Sequence, residues 1–148
     1  MWSDQCECKC AAAKGTVGMT WQYFESAARV KAQALPLFGV QLPRETVEYP
    51  GGGTHSFDMV NYEAGIVGDA KKRAPTTATP TGTIASICEC VLLLQSLPDG
   101  WATRFVVIGP CLEFALKFVD DYHFCLGNVL IFFFDGDDLW EQLWPIVE

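Results

Sequence analysis

The run Ala64-Gly65-Ile66-Val67-Gly68-Asp69, taken with its flanks, constrains the fold of this chain more than any other stretch. Glycine enters positive φ without a steric penalty, so a Gly-x-x-Gly run can bend a strand end tightly or let a second backbone approach. Before it stand a helical run, a Pro50-Gly51-Gly52-Gly53 break and a short apolar segment, 57–64, that reads as a strand. After it come a Thr/Pro-rich loop at 75–80, an apolar helix, and a further strand and helix. Gly65, Gly68 and Gly82 are therefore read as structural turn positions.

The other elements follow from periodicity. Residues 21–35 predict a helix with an apolar stripe of Phe24, Ala27, Ala28, Val30 and Ala34, ended by Pro36. Residues 84–97 hold no Gly or Pro and are too long for an ordinary strand, so they predict a buried helix. Residues 103–108 predict a strand closed by Gly109-Pro110. Residues 111–122 predict a helix on Leu112, Ala115, Leu116 and Val119, and Val129–Phe134 a buried strand. Asp135-Gly136 is a hairpin signal, and 139–147 pairs back as the last strand. Lys71-Lys72-Arg73, the only basic cluster, reads as a solvated loop, with an anion contact as the lesser alternative. The sum is an α+β domain: a mostly antiparallel sheet with helices on one face and a C-terminal hairpin.

Composition sets the outer limits. A chain of 148 residues, half of them hydrophobic, suits one domain with a true core. No apolar run reaches the length of a membrane span. The N-terminus lacks the basic start and apolar stretch of a secretion signal. The formal net charge of −8 argues against unaided binding of a phosphate backbone and for solubility or a basic protein partner. Seven cysteines, an odd number without a secretion signal, read as free thiols in a reducing, intracellular and most simply cytoplasmic compartment. Cys6, Cys8 and Cys10 mark residues 1–13 as a Cys-rich segment, but their spacing is not that of a zinc site, and no metal or cofactor is expected. Asp135, Asp137 and Asp138 lack the rest of a calcium loop and read as a hairpin turn. His55 and His123 have no evident nucleophilic partner. Trp140 and Trp144 read as cover for a sheet face or as an exposed recognition patch.

From Lys14 onward the succession resembles the later two-thirds of a class III nucleotidyl cyclase domain. Thr16-Val17-Gly18-Met19 stands where that family has a Thr-Ile-Gly-Asp-like turn, and Ala64–Gly68 matches its Ala-Gly-Val-Val-Gly. Thr79-Pro80-Thr81-Gly82 matches the loop that opens its apolar helix, and Leu126-Gly127-Asn128-Val129-Leu130-Ile131 its closing Leu-Gly-x-Val-x-Leu. The resemblance implies a ferredoxin-like, cyclase-like domain over 14–148 without the family's first strand and helices. It also implies lost chemistry. Met19 stands in place of a metal-binding carboxylate and Cys90 in place of an arginine, which makes both degenerate catalytic positions. Lys14, Thr79 and Ser86 remain as nucleotide-binding candidates. The function so implied is a catalytically inactive subunit that binds a protein partner, itself cyclase-like in the simplest case, with no direct nucleic-acid binding. The alternatives are the nucleotide-binding half of a heteromeric cyclase and a small acidic inhibitor or immunity-type protein.

Overall fold

The computed structural model describes residues 19–76 and 78–147. The Cys-rich segment and Lys14 lie outside the described residues. The elements run α1 (Trp21–Gln33), β1 (Glu45–Glu48), β2 (Thr54–Phe57), β3 (Met59–Asn61), β4 (Ile66–Arg73), α2 (Thr81–Gln95), β5 (Thr103–Pro110), α3 (Leu112–Tyr122), β6 (Val129–Phe134) and β7 (Trp140–Trp144). The chain is α+β as expected, and the C-terminal hairpin is β6–β7.

Five strands form one sheet in the order β3-β4-β5-β6-β7, so neighbours in the chain are neighbours in space. A separate hairpin, β1–β2, turns at the Gly-rich break. Antiparallel pairings outnumber parallel ones, but the parallel pairs β4–β5 and β5–β6 occupy the centre. Here the helices differ from expectation: they cover both faces of the sheet, not one. The strand β5 is buried on both sides, with Phe105, Val106, Val107 and Ile108 all at 0% exposure, so each face needs a cover. The crossovers α2 and α3 supply one, packing Ile87, Leu94, Phe114 and Phe118 against Val106, Ile108, Ile131 and Phe133. The other is α1, which sets Phe24, Ala28 and Ala32 on Phe105, Val107, Phe132 and Phe134. Its stripe is rotated from the expected one: Ala32 is buried, while Val30 and Ala34 are exposed. Thr20 caps α1 by accepting from the Tyr23 amide at 3.1 Å.

Three further expectations are corrected. The segment 57–64 is not one strand. It breaks at Asp58, where the chain leaves the β1–β2 hairpin and joins the main sheet. Gly65 does turn, with φ +69° and no room for a Cβ, which would lie 2.6 Å from the Gly100 carbonyl. Gly68, in contrast, sits inside β4, because the ring of Phe105 lies where its Cβ would be. The run Lys71-Lys72-Arg73 is the end of β4 and not a loop, because β5 pairs with it as far as Arg73↔Pro110.

Candidate functional site

The ladder β3–β4 ends at Met59↔Gly68, and the next residues on the two strands are Asp58 and Asp69. Both are 4% exposed. The Asp58 amide donates to Asp69 Oδ1 at 2.7 Å, and the Ala70 amide donates to Asp58 Oδ2 at 3.0 Å. The two carboxylates thus sit together at the sheet edge. Side chains alternate along β4, so Val67, Asp69, Lys71 and Arg73 share the face under α2 while Ala70 turns to α1.

Two residues of strand advance about 7 Å and four residues of helix about 6 Å, so the two elements can meet in step. Asp69 Oδ2 accepts from the Cys90 thiol at 3.2 Å, and Lys71 Nζ reaches Ser86 Oγ at 3.1 Å. From the α1 side, Arg44 pairs with Asp58 and lies 3.7 Å from Glu25 Oε1. Arg29 donates to that same Glu25 oxygen at 2.9 Å and to the Asp58 carbonyl at 2.6 Å. His55 Nε2 stands 4.0 Å from Asp69 Oδ2.

Charge is the stressed quantity here. Burial first, and then the neighbouring Asp69, push the Asp58 carboxyl up to about 7, against the weaker pull of Arg44. Burial likewise raises Asp69, and the pair titrates as a unit. Burial and then Asp69 hold Cys90 as a neutral thiol, which makes it a hydrogen-bond donor and not a nucleophile. Burial and then Lys71 lower His55, which keeps its imidazole neutral near pH 7.

The candidates read from the sequence divide. Ser86 and Cys90 come together on one face of α2, opposite Lys71 and Asp69. Thr79 is exposed in the loop before α2, and Gly82 lies in that helix's first turn, open to solvent. Met19 packs beside Gly136 on the α1 face of the sheet. Trp140 and Trp144 do not form one patch. A bulge between Ile131 and Phe132 shifts the β7 register, which sends Trp140 to the α1 core and Trp144 to the α2–α3 core. Asp135 closes the hairpin turn as read, accepting from the amides of Asp137, Asp138 and Leu139.

Sequence reasoning missed Asp58, Asp69, Lys71 and Glu25. The available signal was the alternation Val67-x-Asp69-x-Lys71-x-Arg73, a strand whose covered face turns polar half-way along. Comparison with protein-family models, with curated proteins and with solved structures finds no match to this chain.

Proposed function

We propose that this chain cleaves phosphodiesters at a site made of Asp58, Asp69 and Lys71, assisted by a divalent cation of the Mg²⁺ or Mn²⁺ kind. The observation that carries the reading is the pairing of two buried carboxylates across β3–β4, with a lysine two residues further along the same strand face.

Two carboxylates held this close resist double ionisation, and a hard cation relieves that strain as well as a proton does. The donor set is oxygen, which suits Mg²⁺ or Mn²⁺ and not a soft metal. Among the described residues no three His, Cys, Asp or Glu side chains converge as a ready cage. Magnesium commonly needs none, since one or two carboxylates plus water and substrate phosphate oxygens complete its shell. A cation so held would polarise the phosphoryl group and make a bound water more acidic. Asp58 and Asp69 would hold it once deprotonated. Lys71, kept beside the site by Ser86, places a positive charge where a phosphate oxygen gains negative charge. Glu25 is engaged by Arg29 and Arg44 and serves to fix the guanidinium that faces Asp58.

The test is hydrolysis of bis(p-nitrophenyl) phosphate and of a labelled oligonucleotide by the full chain with Mn²⁺. Asp58→Asn, Asp69→Asn and Lys71→Ala are each expected to lower the rate at least about a hundredfold, with circular dichroism unchanged. Absence of turnover, together with no Mn²⁺-dependent rise in Tm, overturns the reading.

A second reading keeps the inactive, cyclase-like subunit expected from the sequence. One observation favours it: both carboxylates are already engaged, by Arg44, by Cys90 and by two backbone amides. In that reading the cluster only ties β3, β4 and α2 together, and the function lies in a protein partner. The same experiment separates the two.

A further inference from the structure

Beside the carboxylate pair lies a cleft of about 270 Å³ whose walls are Trp21, Lys71, Lys72, Gly82, Thr83 and Ser86. The N-terminus of α2 opens into it. This helix of 15 residues starts at Pro80 with no side-chain cap and no acidic residue in its first turn. A helix start carries unsatisfied amides and a partial positive charge, and both favour an anion. At Gly82 an added Cβ would meet nothing within 4 Å, so a ligand can approach that backbone directly.

Cations crowd the same place. The Lys71 ammonium stands against Ser86 Oγ. Arg73, only 8% exposed, runs under the turn, with Nη1 donating to Thr83 Oγ1 at 3.3 Å and Nη2 to the Ala78 carbonyl at 2.6 Å. Its Nε is buried and has no hydrogen-bond partner among the described residues. In a chain of net charge −8, three consecutive cations at one helix start form a local exception to the global sign.

Lys71 belongs both to this cleft and to the carboxylate face, and the strand step from Asp69 to Lys71 is about 7 Å. That step is comparable to the distance between successive phosphates of an extended nucleic-acid strand. Trp21 forms another wall, and an indole face is a surface on which a base can stack. We infer that the cleft binds the phosphate next to the scissile one, which makes the substrate a polynucleotide strand and not a mononucleotide or a small diester. This rests on the phosphodiester reading above and adds the substrate class to it.

The test uses the full chain carrying Asp69→Asn, in EDTA, with a fluorescent single-stranded DNA decamer followed by anisotropy. Binding is expected to be competed by inorganic phosphate. It should weaken about tenfold in Lys72→Ala, with a shallower salt dependence. Gly82→Asp is the second variant: an aspartate in the first turn favours the helix, so the fold is retained while the anion site is filled. It should abolish decamer binding and leave Tm equal or higher. Unchanged affinity in both variants, or equal affinity for a mononucleotide and the decamer, overturns the inference. Turnover of a small diester by the wild-type chain without decamer binding removes this inference alone. Decamer binding lost in both variants, in a chain without turnover, keeps the phosphate cleft and removes the enzymatic reading.

Discussion

At the scale of single residues, Asp58 is the point where folding and chemistry oppose each other. Its ordinary value of 3.8 rises to about 7 in the folded chain. Between those values the native state holds a proton that the unfolded state has released. Stability therefore falls as pH climbs from about 4 to about 7, and levels off above that range. The substitution Asp58→Asn removes the titration and keeps an acceptor for the Ala70 amide. Its Tm is expected to exceed that of the wild type at pH 8, with the difference vanishing by pH 5; scanning calorimetry across that range checks it. A divalent ion competes with the same proton. The rise in Tm given by Mn²⁺ in the wild type should therefore be larger at pH 8 than at pH 6, and absent at both in Asp69→Asn.

At the scale of elements, the sequence made most of the scaffold legible. Helices α1, α2 and α3 and strands β5 and β6 lie where apolar periodicity puts them, because each buries a long apolar surface. The candidate site was not legible, for reasons that can be stated. Asp58 and Asp69 are 11 residues apart, and only the ladder β3–β4 brings them together. The strand that precedes Asp58 belongs to another sheet, and the charged end of β4 looks like a loop to any reading that expects buried strands to be apolar. Arg104 was equally hidden. Buried at 4% exposure, it donates to the carbonyls of Trp101, Leu94, Gln95 and Pro98 and so closes the C-terminal end of α2. Truncation to Arg104→Met should leave these acceptors unpaired and cost about 2–4 kcal/mol by urea denaturation. Arg104→Lys, which cannot reproduce the fork, should recover only part of that loss.

At the scale of the whole molecule, two cores lie on opposite sides of one sheet, and the bulge in the last hairpin gives each a tryptophan. Trp140 stacks among Phe38, Phe132 and Phe134, whereas Trp144 packs by His123. Trp140→Ala and Trp144→Ala should each destabilise the fold. Their effects should add to within about 0.5 kcal/mol in a double-mutant cycle, as independent sites do. A shared surface patch would instead give a clear coupling energy.

The short β3 stops pairing at Met59↔Gly68 while β4 continues to Arg73, so the last part of β4 pairs only with β5 among the described residues. Such a bare selvage ordinarily invites a foreign chain to zip on. Here it is edged with ammonium and guanidinium groups, and a second molecule offering the same margin would be pushed away. The charges gathered for a guest's phosphate also serve as a guard against self-association.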